Sequence, residues 1–186
     1  MIDYVLLAAQ VRALCEDPGL PSGGSDGSGA LPGGSCGAAG VASVCGAADM
    51  AGAFETACLA NISALLYETL PDVNWAGFYR LLPDGSLLLG PFQGKVACTL
   101  LKPGKGVCGS AVSSGRSVVV PDVHLFPGHI ACDNASASEL VIPLRAPSGR
   151  IWGVLDIDSP VKGRFSDEDR EGLEAVAMVI EKEALK

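Results

Sequence analysis

Asn74-Trp75-Ala76-Gly77-Phe78-Tyr79-Arg80-Leu81-Leu82-Pro83-Asp84-Gly85-Ser86-Leu87-Leu88-Leu89 is the stretch whose reading decides the fold class. Aromatic and apolar residues from Asn74 to Leu82 suit a pleated, partly buried strand. Pro83-Asp84-Gly85 supplies turn chemistry, and Leu87 to Leu89 resumes the strand pattern, so a hairpin is predicted. Further strands are expected at Val96 to Leu101, Ser117 to Val120, Glu139 to Leu144 and Ile151 to Ile157, with a brief helix over Gly109 to Ser114 between them.

Helices flank these strands. The first carries Leu6, Leu7, Gln10, Val11 and Leu14 as a candidate stripe and ends near Asp17-Pro18. A second runs from Met50 to Leu70, with Phe54, Cys58, Ile62, Leu65 and Leu66 at helical spacing, which places Cys58 inward as a small hydrophobe. The last starts after Ser166, an N-cap residue followed by Asp167, Glu168 and Asp169 in the positive first turn, and its stripe is Leu173, Val176, Ala177, Ile180 and Ala184. Terminal helices around hairpin-linked strands make an α+β domain. Ten of the 24 glycines fall between Gly19 and Gly46, mixed with Ser, Ala and Pro. Such a stretch loses much entropy on ordering and buries little. The expected organisation is therefore an N-terminal helix over 1–17, a flexible insertion over 18–49 and the main domain over 50–186.

The net charge of −8 and the lack of a basic patch argue against a nucleic-acid surface. No apolar run reaches the roughly 20 residues that span a bilayer, and Val5 to Ala9 is too short for a secretory core, so a cytoplasmic protein is expected. Seven cysteines at irregular spacing then read as reduced thiols. There is no Cys-x-x-Cys pair and only His124 and His129 offer imidazole, which disfavours a metal site.

Three of those cysteines sit in glycine-rich, polar surroundings. Cys132 follows Gly128-His129-Ile130-Ala131 and is the candidate nucleophile, although adjacent Asp133 works against a low pKa. Cys98 and Cys108 are candidate resolving thiols; Cys98 in a strand pattern could equally be core, and Cys108 between glycines a close-packing residue. Cys36 and Cys45, in the glycine-rich segment, have nothing around them to activate a thiolate. Asp156 and Asp158 share one face of their strand, where like charges are costly unless they bind a cation or share a proton, and Glu139 could join them. Trp75 and Tyr79 fall on one strand face and could wall a small apolar pocket, or simply be core.

Taken together these runs resemble the free methionine-(R)-sulfoxide reductases, which are built on a GAF domain with a central antiparallel sheet of about six strands. The resemblance rests on Asn74 to Tyr79, Gly90 to Cys98, Gly104 to Gly109, Asp122-Val123-His124, Pro127 to Asp133 and Gly153 to Pro160. It implies that Cys132 attacks the sulfoxide sulfur and becomes a sulfenic acid, that Cys98 forms a disulfide with it, and that thioredoxin restores both thiols, with no bound cofactor. Cys108 is the third family cysteine. Glu139, Asp156 and Asp158 would hold the substrate ammonium and supply a proton, while Trp75, Tyr79 and Ile130 would line the rest of the site. A homodimer is left open. The competing expectations are a GAF module that binds a small ligand without turnover, and a thiol redox sensor.

Overall fold

The computed structural model describes residues 2–16, 47–128 and 135–185. The segment expected to be flexible lies outside them as far as residue 46, as do Cys36, Cys45, His129, Ile130 and Cys132.

Among the described residues four α-helices and six strands follow in the order α1 (Tyr4–Cys15), α2 (Ala47–Thr69), β1 (Trp75–Leu81), β2 (Leu87–Gly94), β3 (Leu100–Leu101), α3 (Gly106–Ser114), β4 (Val118–Val120), β5 (Ser138–Arg145), β6 (Ile151–Ser159) and α4 (Asp167–Glu183). The strands form one sheet in the order β3-β2-β1-β6-β5-β4, with every neighbouring pair antiparallel. The expected hairpin is present, with Leu82 and Ser86 closing its turn at 2.8 Å. The pairing of β1 with β6 is the long-range step: it sets Trp75 opposite Asp158 and Gly77 opposite Asp156.

Helices α1, α2 and α4 cover one face of the sheet. Leu7, Val11, Cys15, Cys58, Leu59, Ile62, Leu66, Leu173, Val176 and Ile180 pack there on Ala76, Phe78, Leu140, Ile142, Leu155 and Ile157. The other face carries Trp75, Tyr79, Val141 and Val154 under α3 and the residues around β3. β5 is buried on both faces up to its last residue, which is why Leu140-Val141-Ile142-Pro143-Leu144 reads as an unbroken apolar run rather than an alternating one.

Three sequence expectations shift. The buried stripe of α1 is Leu7, Val11 and Cys15, four residues apart, whereas Leu6 is 56% and Leu14 37% exposed. Leu6 and Leu14 give no more period than Cys15 does, and only the partner helices decide which of them turns inward. α2 begins at Ala47, three residues ahead of the expected Met50, since alanine favours helix. The strand expected over Val96 to Leu101 shrinks to Leu100–Leu101. Its backbone is claimed by side chains instead: Trp75 Nε1 donates to the Lys95 carbonyl at 3.1 Å and Tyr79 Oη to the Cys98 carbonyl at 3.0 Å.

α4 begins with the predicted cap. Ser166 Oγ accepts from the Asp169 amide at 3.1 Å while Asp169 Oδ2 accepts from the Ser166 amide at 2.9 Å, a reciprocal capping box. The same carboxylate binds α1 to α4, because Tyr4 Oη donates to Asp169 Oδ1 at 2.5 Å and Arg164 Nη1 lies 3.1 Å from Oδ2. Burial raises the Asp169 pKa, but the hydrogen bonds from Tyr4 and Ser166 outweigh it and bring the value down to about 2. A depressed carboxyl pKa adds stability above the unfolded-state value near 3.8, and that stability is lost as pH falls toward the folded-state value of about 2. Tyr4→Phe keeps the ring over Gly172 and removes one charge-assisted bond. It is expected to cost about 1–2 kcal/mol in urea unfolding at neutral pH, and the deficit should narrow as Asp169 is protonated on acidification.

Candidate active site

The face of the sheet opposite the three long helices holds a pocket of about 550 Å³, counting its open mouth. Its floor comes from the central strands. Trp75 and Tyr79 rise from β1, Asp156 and Asp158 from β6, and Glu139 from β5. Alternation along each strand puts Asp156 and Asp158 on one face, and Glu139 lies opposite Asp158 in the β5–β6 ladder. The rim is made by Val96, Ala97 and Leu101 on one side and by Lys105, Gly106, Val107 and Cys108 of the α3 entry on the other, with Ser136 beside the acids.

The aromatic wall is a stack. Trp75 lies 6.0 Å from Tyr79 and 5.4 Å from Phe92, with interplanar angles of 23° and 14°. Gly77 makes room for it. A Cβ there would stand 2.7 Å from Trp75 Cη2 and press into Phe92 Cβ. Gly77→Ala is expected to cost about 1–3 kcal/mol in urea unfolding, the usual range for overpacking, and to displace the indole from the pocket wall, which Trp fluorescence checks.

Cys108 occupies the first turn of α3, which begins at Gly106 and so reaches three residues further back than the Gly109 start expected from the sequence. Gly104 and Gly106 take positive φ of 67° and 68°, and Gly109 has no room for a side chain, since a Cβ would lie 2.6 Å from the Gly104 backbone. The glycines thus fold the loop tightly onto the helix start and turn the Cys108 thiol toward β6, where Sγ donates to Asp156 Oδ2 at 3.4 Å.

The electrostatics of this corner are unusual. Glu139 and Asp156 are 6% and 7% exposed. Burial, then the charge of Glu139, pushes the Asp156 carboxyl well above the ordinary range. Burial, then Asp158, does the same to Glu139. Burial together with Asp156 and Glu139 raises the Cys108 thiol as well, so it is held protonated. Asp156 Oδ1 is buried and accepts no hydrogen bond from any of the described residues. Carboxyls gathered in so buried a corner hold their protons in the absence of a counter-charge, and a bound cation would offset the cost of ionising them.

Of the candidate residues, Trp75, Tyr79, Cys108, Glu139, Asp156 and Asp158 come together in one pocket. Cys98 stands half-buried among the residues packed at the back of Trp75 and Tyr79, with its neighbours Val96 and Ala97 on the rim. Cys15 and Cys58 belong to the helical core. Cys132 and Ile130 lie outside the described residues; Ser136, four residues after Cys132, lines the pocket and accepts from Asn74 Nδ2 at 3.2 Å. Ser136 and Lys105 were not singled out from the sequence. A lone serine or lysine carries no periodic or spacing signal, and only the β1–β6 pairing brings the Asn74 amide to Ser136.

A six-stranded antiparallel sheet with long helices on one face and a pocket on the other is the frame of a GAF domain, and the GAF domain model matches residues 55–183. The free methionine-R-sulfoxide reductase of Escherichia coli is 59% identical over 126 residues, covering 68% of this chain and 75% of that protein. The Saccharomyces cerevisiae protein of the same name is 47% identical over 130 residues, 67% of this chain and 72% of that protein. Among solved structures, fRMsr of Staphylococcus aureus in complex with substrate superposes with a TM-score of 0.74 at 41% identity, covering 99% of this chain and 97% of that one. The chain belongs to the free methionine-R-sulfoxide reductase family of GAF-domain proteins.

No helix among the described residues is long and apolar enough to cross a membrane.

Proposed function

We propose that this protein is an oxidoreductase that reduces free L-methionine-(R)-sulfoxide to L-methionine in the pocket over β1, β5 and β6. The observation that carries this reading is the convergence of three carboxyls, a thiol and an aromatic wall in one pocket. The carboxyls bind the substrate ammonium. The stacked Trp75 and Tyr79 receive the S-methyl end, which is apolar and polarisable.

The chemistry needs two electrons and two protons, and the thiols supply the electrons. Cys132 attacks the sulfoxide sulfur as the oxygen takes a proton from the acid cluster. Methionine leaves, and the oxygen stays on Cys132 as a sulfenic acid. Cys98 then attacks that sulfur, expelling water and forming a disulfide, which thioredoxin reduces to two thiols. Cys108 is a poor nucleophile here because its thiol is held neutral by burial beside the acids. It serves instead as a donor that orients Asp156.

A sulfoxide oxygen is a weak base, and its protonation makes the sulfur electrophilic. Three carboxyls facing a single ammonium leave surplus negative charge, so one proton is retained to higher pH than an isolated carboxyl would allow. Asp156 and Glu139 both have raised pKa values. The acid form is therefore lost as pH rises through the raised value, and kcat/KM should fall on that alkaline limb. Stopped-flow reduction across pH, with thioredoxin recycling kept saturating, checks this direction.

The same corner explains discrimination against methionine in a polypeptide. A peptide-bonded nitrogen carries no charge, so the buried carboxylates would be left unpaired, a penalty of several kcal/mol. The deciding assay is thioredoxin-coupled NADPH oxidation with free L-methionine-(R)-sulfoxide, its (S) epimer and a sulfoxide-containing peptide. Turnover of the free (R) form alone is expected. Failure to turn over any of the three with reduced enzyme would overturn the reading.

A further inference from the structure

We propose that Cys108, Glu139 and Asp156 also form a binding site for one thiophilic divalent cation of the zinc type, in competition with the substrate ammonium. The ligand-capable atoms of these residues lie within 4.8 Å of one another, and all three residues are buried. Cys108 Sγ and Asp156 Oδ2 are already 3.4 Å apart, near the spacing of about 3.6 Å that follows for donors in a tetrahedral shell with Zn–S of about 2.3 Å and Zn–O of about 2.1 Å. The remaining contraction is about 1 Å, within reach of side-chain rotation.

An independent observation points the same way. Asp156 is only 7% exposed, lines the pocket and has no hydrogen-bond donor at its Oδ1 among the described residues. A buried carboxylate oxygen with no donor is an open coordination position as much as an open ammonium site. The donor set chooses the ion. One sulfur and two carboxylate oxygens match zinc and its heavier congener cadmium, whereas calcium and magnesium take six or more oxygen ligands and gain nothing from sulfur. The pocket mouth leaves the fourth position to water.

Coordination requires no redox partner. The Cys108 thiol releases its proton to solvent as the metal–sulfur bond forms, and any proton held on the carboxyl pair leaves likewise, so affinity rises with pH. Bound metal occupies the carboxylates that the ammonium would use. It would thus silence the pocket without touching Cys132 or Cys98. The competition with ammonium rests on the proposed substrate reading, whereas the metal site rests on the three side chains alone.

The test uses reduced full-length protein in which Cys36, Cys45, Cys98 and Cys132 are replaced by serine, leaving Cys108 and the core thiols Cys15 and Cys58. Cadmium ion is titrated, followed by thiolate-to-cadmium charge-transfer absorption and by calorimetry, and zinc ion is then run against it. The expected result is one ion per chain with a single-thiolate band that free methionine displaces. Cys108→Ala should remove the band and weaken binding by at least about 100-fold, because even outer-shell partners of a metal site contribute about 10–100-fold. Asp156→Asn, which keeps the thiol, should weaken it about 10–100-fold and carries the comparison if the cysteine variant does not fold. A band that persists in Cys108→Ala or unchanged affinity in Asp156→Asn would each overturn the metal site, and cadmium that methionine does not displace would overturn the competition with the ammonium. None of these readouts requires turnover, so their failure leaves the reductase reading standing. Conversely, absence of methionine sulfoxide turnover in the wild-type chain would count against that reading and not against the metal site.

Discussion

Cys132→Ser is expected to lower turnover of free methionine-(R)-sulfoxide by at least about a thousandfold, the scale on which loss of a covalent nucleophile acts. The other cysteines leave it little competition. Cys15 and Cys58 are sealed in the helical core at 1% and 2% exposure. Cys108 is kept protonated by burial and by Asp156 and Glu139, which would also repel a thiolate. Cys98 is half-buried, its backbone carbonyl tied to Tyr79. Cys98→Ser should behave differently: one equivalent of methionine is released in a single turnover, the sulfenic acid accumulates on Cys132, and recycling fails. Trapping with dimedone and mass spectrometry separates the two. Cys36→Ser and Cys45→Ser should retain turnover. Normal steady-state activity in Cys132→Ser would remove the assignment of nucleophile.

Asp156→Asn and Glu139→Gln carry the second large effect, and it has two signs. Each removes a carboxylate from a corner that must neutralise an ammonium and keep a proton for the sulfoxide oxygen. A loss of about 10²–10⁴-fold in kcat/KM is expected, the range for a positioned acid. Stability should move the other way. Both groups have raised folded-state pKa values, so the folded chain holds protons that the unfolded chain releases, and stability falls as pH rises above the ordinary carboxyl range toward the folded values. Removing one of the mutually repelling carboxyls relieves that cost. The variants should unfold at higher urea than the parent at pH 8, with the difference shrinking at pH 5. A variant that is both less active and less stable at pH 8 would mean that the carboxyl is held by its neighbours rather than strained for function.

The same strain accounts for what could be read early. Asp156 and Asp158 stood out because two acids on one face of an apolar strand make no sense as packing, and in the folded state burial, then the charge of Glu139, holds the Asp156 carboxyl above its ordinary range. Trp75 and Tyr79 were placed together by strand alternation alone. The hairpin at Pro83-Asp84-Gly85, the Ser166 cap and the stripe of α4 are likewise local patterns, set by turn chemistry and side-chain period. The strand expected around Cys98 failed for a non-local reason: two aromatic side chains from β1 take the carbonyls of Lys95 and Cys98. The α1 stripe held at Leu7 and Val11 but shifted at its end for a similar reason, because Cys15 rather than Leu14 or Leu6 turns into the core with α2 and α4, a choice made by the packing partner.

The linear order of residues by itself determined the α+β class, the caps and turns, and the short list of thiols, acids and aromatics able to do chemistry, since each rests on a neighbour within a few positions. Tertiary structure alone decided which of those residues meet. Pairing of β1 with β6 closes a gap of more than seventy residues and puts Gly77 beside Asp156, while the α3 start swings Cys108 to within 3.4 Å of that carboxyl. Contacts at such separations are fixed by burial summed over the whole sheet and its covering helices, and no local period in the chain encodes them.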